Sequence, residues 1–201
     1  MPNLDYVSVF HSIIERKAWG SDESVSGHGS TVAATAILRR RLADVFARLR
    51  IKSLVDAPCG DMNWMRHLEY ELDHYIGIDL VPTLIEELKK QTFSSNYDFR
   101  VGNIATHVLP NADALFCRDC LVHLPFSVIH EALRSWKMTG FKFIFVTTFP
   151  TRRSNSDCMV GDWRPLNMEI SPFKWPKPLM ILNENYDPPF RDKSVGVWTL
   201  Q

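Results

Sequence analysis

The sequence predicts an α/β domain: a largely parallel sheet of seven strands with helices on both faces, a reversed last strand and a helical arm at its N-terminal end. Three observations carry this reading. Short buried-type runs, among them Ser53-Leu-Val-Asp-Ala57 and Phe143-Ile-Phe-Val-Thr147, alternate with stretches of helical period. Strands separated by helices are joined by crossovers, and crossovers cover both faces of a parallel sheet. Near the end of the chain, residues 179–182 and 195–200 form two strands with no helix between them, which makes a hairpin and reverses a strand.

The elements follow in order. Tyr6, Val7, Phe10, Ile13 and Ile14 stand at helical spacing, so a helix is expected from Leu4 to Lys17. Residues 20–30 are rich in Gly and Ser and read as a loop, after which Ser30 or Thr31 is expected to cap a helix running to about Leu49. Residues 1–50 thus form an arm and a candidate lid, and residues 51–201 the core of the same single domain. After the first strand, Asp61–Leu72 is expected to be helical with Trp64, Met65 and Leu68 turned inward. His74–Ile78 is the second strand, and Pro82–Gln91 a helix with proline in its tolerant first turn. Phe99–Val101, Ala114–Cys117 and Phe143–Thr147 are further strands, the last two separated by a helix over Pro125–Trp136. Between Arg152 and Pro178 lies a long irregular stretch with four prolines and two tryptophans. Ordered loops of that length usually carry function.

Composition narrows the function. The 201 residues hold 23 Lys plus Arg against 23 Asp plus Glu, a net charge of zero. A nucleic-acid partner is therefore not expected, because such proteins carry a basic excess or stripe. No run approaches the ~20 apolar residues of a membrane span, and no basic-then-apolar leader opens the chain. Four cysteines, one pair of them the lone C-x-x-C of Cys117 and Cys120, make neither a disulfide framework nor a zinc motif. A soluble cytoplasmic domain with unpaired thiols is the expectation.

The chemistry concentrates where strands end. Leu54-Val-Asp-Ala-Pro-Cys-Gly-Asp61 places an acid, Asp56, at the carboxyl end of the first strand, followed by a tight turn. In an open α/β sheet that is the edge where small ligands bind. Asp79 ends the second strand 23 residues later, a spacing that suits a carboxylate receiving the two hydroxyls of a ribose. The segment from Asp56 to Met62 resembles motif I of the class I S-adenosylmethionine (SAM)-dependent methyltransferases, with Pro58 and Met62 in place of two usual glycines. That departure disfavours a dinucleotide, whose pyrophosphate needs close backbone approach at several glycines. The resemblance implies a Rossmann-like fold and SAM as cofactor, bound along Asp56, Ala57, Cys59 and Gly60. It further implies Asp79 and Leu80 at the ribose and Asn103 with Ile104 at the adenine edge. Arg118 and the helix start at Ser30 and Thr31 complete the expected cofactor set, the latter pair facing the SAM carboxylate.

At the end of the fourth strand, Arg118-Asp-Cys-Leu-Val-His123 holds two candidate bases, Asp119 and His123, four residues apart. Methyl transfer is an in-line displacement dominated by positioning, and a hydroxyl acceptor must lose its proton to a nearby base. Trp19, Trp64, Arg152, Arg153, Trp163 and Arg164 are the candidate acceptor-binding residues, since tryptophan stacks on a ring face while arginine bonds hydroxyls. A divalent metal is possible on Asp61, Asp119, His123 and Asp162, but no compact ligand motif favours one. The fuller pattern W-G-S-x-E-S, D-A-P-C-G-D-x-N-W-M, R-D-x-L-V-H-L and G-D-W-R-P-L-N is similar to a methyltransferase subgroup that includes C-terminal modules of chlorovirus multidomain glycosyltransferases. This similarity implies O-methylation of a sugar or glycan hydroxyl, on a rhamnose-type unit, by what would be one module of a larger glycosyltransferase polypeptide. The alternatives are a methyltransferase for another small molecule or a protein side chain, and a SAM-binding module without catalysis. DNA methylation is disfavoured, because no N/D-P-P-Y/F stands directly at the end of the fourth strand, where the chain reads Arg118-Asp-Cys-Leu.

Overall fold

The computed structural model describes residues 6–200; Leu4, where the first helix is expected to begin, lies outside the described residues. Seven strands form one sheet: β1 (Ser53–Asp56), β2 (His74–Asp79), β3 (Tyr97–Val101), β4 (Ala114–Cys117), β5 (Phe143–Thr148), β6 (Met180–Asn183) and β7 (Ser194–Thr199). Their order is β3-β2-β1-β4-β5-β7-β6. β1 to β5 are parallel, and β7 runs antiparallel to both β5 and β6. The Rossmann-like architecture expected from the sequence, with its reversed last strand, is the one observed.

Alternation along the strands divides the core in two. Leu54, Ala114, Phe116 and Phe145 pack with helices α2 (Ala36–Leu49) and α3 (Pro82–Lys90). Val55, Leu115, Cys117, Ile144 and Val146 pack on the other face with helix α4 (Phe126–Thr139). Each face supplies only half of a strand's apolar residues, yet every residue of β4 is buried, as a central strand covered on both sides requires. Trp136 of α4 is fully buried, and its indole N–H is satisfied by the carbonyl of Ile104 at 3.2 Å. Helix α1 (Tyr6–Glu15) lies against the second core through Tyr6 and Phe10.

Two expected helices are corrected. Helix α2 starts at Ala36, not at Ser30 or Thr31; residues 28–30 form a single 3-10 turn. Thr31 instead accepts the Ala34 N–H, and the Thr35 hydroxyl donates to the Thr31 carbonyl, so both hydroxyls hold a turn ahead of the helix. The stretch Asp61–Leu72 contains only a 3-10 turn at Met65–His67. There, Met62 takes a left-handed φ of 60°, and the Asp61 carboxylate bonds the Asn63 N–H two residues on. Such a local side-chain turn competes with helix formation. The Arg66 side chain also donates to the Met62 and Asp61 carbonyls and ties the turn together. Trp64 and Met65 are buried all the same, as the apolar pattern demands.

Candidate active site

Parallel strands bring their carboxyl ends to one edge, and a cleft of about 1120 Å³ including its open mouth lies there. Asp56 ends β1, Asp79 ends β2, Asn103 follows β3, and Arg118 and Asp119 follow β4; all five line the cleft. Cys59, Gly60, Leu80, Ile104, His123, Ser30, Trp19 and Trp64 line it as well. The arm closes one side with Tyr6, Phe10 and Ile14.

The two strand-end carboxylates are buried and only partly satisfied. Asp79 accepts the Gly60 N–H at 3.1 Å and the Val81 N–H at 3.0 Å, one on each oxygen. Each oxygen retains a second lone pair. Burial raises its pKa even though those N–H groups favour the charged form. Asp56 accepts the Tyr75 hydroxyl at 2.6 Å, and burial pushes its carboxyl up to about 7. Between these acids Gly60 adopts φ +56°, and a Cβ there would stand 2.5 Å from the Ser26 hydroxyl oxygen. Only glycine fits the turn under the arm. The Asn103 carbonyl oxygen accepts the Ala105 N–H, which leaves its second lone pair and its Nδ2 for a ligand.

The β4 end carries a buried ionic knot. Arg118 donates from Nε and Nη2 to both oxygens of Glu184, at 3.1 and 2.6 Å, a bidentate pair with the Glu184 side chain fully buried. Its Nη2 also reaches the Gly29 carbonyl at 2.8 Å, and Nη1 the Ser30 hydroxyl at 3.4 Å. Lys193 bonds Asp119 and lies 3.4 Å from Glu184. Sheet register explains this gathering: Thr148 of β5 pairs with Ser194 of β7, which pairs with Asn183 of β6. Glu184 and Lys193 therefore arrive at the same edge as Arg118 and Asp119. Burial alone would raise the Asp119 carboxyl, but Lys193 and Arg118 outweigh it and hold it at about 2. A carboxylate that acidic is a weak proton acceptor.

His123 sits in a 3-10 turn, Leu121–His123, and packs against Trp19 with ring centroids 5.0 Å apart and planes tilted by 39°. Its Nδ1 lies 2.8 Å from the Asp162 carbonyl. A carbonyl can only accept, so Nδ1 carries the proton and Nε2 keeps the free lone pair in the neutral ring. Burial lowers its pKa below the usual imidazole value, which keeps it neutral near pH 7. Arg164 secures the turn beneath it by donating to the carbonyls of Leu121 and Leu124.

Six of the candidate cofactor- and acceptor-binding residues lie outside the cleft wall. Ala57 is fully buried behind it, and Thr31 belongs to the turn before α2. Arg164 is 6% exposed and committed to main-chain carbonyls; Trp163 packs on Phe190, centroids 4.7 Å apart. Arg152 and Arg153 line a separate polar hollow. Glu184 and Lys193 escaped notice because they stand in a turn-like, Pro- and Asp-rich stretch with no motif around them. Asp61, weighed as a metal ligand, instead takes the Ser24 hydroxyl and the Val25 N–H and ties down the arm. Among the described residues no three His, Cys, Asp or Glu side chains are gathered for a metal ion.

Residues 55–144 match a family model described as a methyltransferase domain, Methyltransf_11. This match spans 90 of the 201 residues and, with the fold and the strand-end acids, supports a SAM-dependent methyltransferase. Solved structures of similar fold include the DhpI–SAH complex, with TM-score 0.56 and 18% identity over 80% of this chain and 81% of that one. Magnesium protoporphyrin IX methyltransferase (ChlM) from Synechocystis with bound SAM gives 0.50 and 14%, over 78% of this chain and 82% of that one. Phosphoethanolamine N-methyltransferase 1 from Haemonchus contortus gives 0.55 and 15% over 80% of this chain, which spans only 36% of the nematode protein. At such identities the likeness is one of fold. No curated protein matches the chain by sequence. No helix among the described residues is long and apolar enough to cross a membrane.

Proposed function

We propose that the chain O-methylates a hydroxyl of a sugar or glycan, with His123 as the base that removes the hydroxyl proton. The observation that carries this is the His123 imidazole: lining the cleft, neutral near pH 7, and fixed by the Asp162 carbonyl as the tautomer with a free Nε2. Asp119, paired with Lys193 and strongly acidic, suits the role of a fixed charge beside that ring better than the role of base.

The cleft fits SAM. The cofactor supplies a methyl group on a cationic sulfur, and the carboxylates of Asp56, Asp79 and Asp119 around the cleft favour a cation. The spare lone pairs of Asp79 suit the ribose diol, and Leu80, Val81, Leu84 and Ile104 offer an apolar slot for adenine beside Asn103. Solved neighbours of this fold that hold SAM or SAH support the assignment. Trp19 and Trp64 line the cleft, and tryptophan is a side chain on which sugar rings stack, which supports the glycan reading, including a place in a larger glycan-building polypeptide. The apolar wall of Tyr6, Phe10, Ile14 and Val128 favours, as a second reading, a more apolar small-molecule acceptor.

The test is methyl transfer from labelled SAM to a panel of rhamnosides, other monosaccharides and phenols. Label on a sugar hydroxyl, lost in His123→Ala, is the expected result. Transfer to phenols alone selects the second reading. SAM binding by titration with no transfer to any acceptor overturns both.

A further inference from the structure

The polar hollow beyond β5 is built from Thr151, Arg152, Arg153, Ser154 and Ser156 on one loop, faced by Pro165, Pro189 and Asp192. Its two arginines stand without counter-charges. Neither Arg152 nor Arg153 has an acid within 4 Å among the described residues, whereas Arg118 and Lys193 are each doubly paired. The Nε of Arg152 is buried and has no hydrogen-bond partner. Among the described residues no protein acceptor bonds any nitrogen of this guanidinium, which leaves the group to an acceptor from outside. Ser154 and Ser156 line the same hollow, so two arginines and two serines border one space.

The loop that carries them is held rigidly. The Asn167 side chain donates to the carbonyls of Pro150 and Arg152, and its main-chain N–H bonds the Asn155 side-chain oxygen. Asn155 returns the contact, its Nδ2 bonding the Asn167 and Ser171 carbonyls. The guanidinium of Arg152 lies over the Phe190 ring at 5.7 Å. Asp192 is the acid in the wall, and both the N–H and the hydroxyl of Thr151 hold its Oδ2. The lining side chains thus carry two positive charges against one negative. Short stretches of chain link the hollow to the cleft: Asp192 precedes Lys193, which pairs with the cleft-lining Asp119, and Thr151 follows the strand whose Thr147 receives the Asp119 N–H.

We infer that this hollow is an oxyanion site that takes a phosphate group, with Arg152 and Arg153 as its ligands. Guanidinium groups bind phosphate through paired, charge-assisted hydrogen bonds, and serine hydroxyls supply the remaining donors. The phosphate comes either from a phosphorylated acceptor that reaches from the cleft past Asp119, or from a free ion. The inference does not depend on which hydroxyl the enzyme methylates.

The test is titration of the full chain with inorganic phosphate and with a hexose 1-phosphate, followed by NMR or calorimetry at low salt. Saturable binding is expected that weakens about tenfold or more in Arg152→Gln and in Arg153→Gln, while Asp192→Asn, which removes the opposing charge, tightens it. Each variant is checked for wild-type melting temperature and SAM affinity, which separates loss of the site from loss of the fold. Tighter binding of the hexose phosphate than of the free ion, enhanced by SAM, identifies an acceptor group; equal affinities identify a free-ion site. No saturable binding, or binding that both glutamine variants retain, overturns the assignment, and neither result bears on methyl transfer to neutral sugars.

Discussion

Replacing Asp56 with asparagine isolates the electrostatic cost of the cofactor end of the cleft. The side chain is 3% exposed, its carboxyl has risen from 3.8 to about 7, and burial is the first cause. A carboxyl whose folded pKa lies above its unfolded value binds more protons in the fold, so folding stability falls as pH rises between the two values. With the endpoints at 3.8 and about 7, the loss between pH 5 and pH 8 is about 2.5 kcal/mol. The asparagine side chain has no such titration, and its carbonyl oxygen can still accept the Tyr75 hydroxyl, which bonds Asp56 at 2.6 Å in the wild type. Asp56→Asn without cofactor should therefore gain on the wild type by about 2.5 kcal/mol between pH 5 and pH 8, whatever the other groups contribute to both curves. Urea denaturation at the two pH values measures this difference directly. Affinity for the cationic cofactor should move the other way, weakening about tenfold at pH 8. Parallel stability curves for the two proteins would refute the reasoning, because a charge whose removal changes nothing with pH is not a buried charge.

Two further outcomes follow from the β4 end. His123→Ala should lower turnover by ~10²–10⁴ with SAM affinity nearly intact, and the wild-type rate should rise with pH to a plateau whose midpoint lies below 6.5, because burial depresses the imidazole. Rates measured where chemistry is limiting check both. Glu184→Ala strips the buried guanidinium of its bidentate partner and should cost about 3–5 kcal/mol, with amide exchange accelerating first at residues 28–30, which Arg118 holds.

Periodicity and strand-end chemistry were readable because each depends on local sequence. Continuous apolar runs at β1, β4 and β5, separated by helical stretches, announced a sheet covered on both faces, and Asp56 and Asp79 announced a ligand edge because a parallel sheet puts strand ends together. What escaped was set by distant partners. Residues 61–72 have the apolar spacing of a helix, but Asp61 is claimed by Ser24 and Val25 of the arm, 36 to 37 positions away. Glu184 and Lys193 acquire meaning only through the register of β7 against β5 and β6. Arg164, read as an acceptor ligand, turns out to hold the carbonyls beneath His123, a role that no local spacing encodes.

The ionic knot has a consequence for dissection and for synthesis. The region that matches the family model ends at residue 144 and includes Arg118, but the two carboxylate oxygens that grip this arginine belong to residue 184. A fragment trimmed to that region leaves the guanidinium without its bidentate partner and cuts β5 after its second residue, so the strand that pairs with β7 is lost. On the ribosome the same order applies. Until residues 184–199 have emerged, the arginine after β4 lacks that partner, residues 28–30 have a poorly fixed anchor, and the edge of β5 stays open to any chaperone. Completion of the ionic knot at this end of the sheet thus waits on β6 and β7.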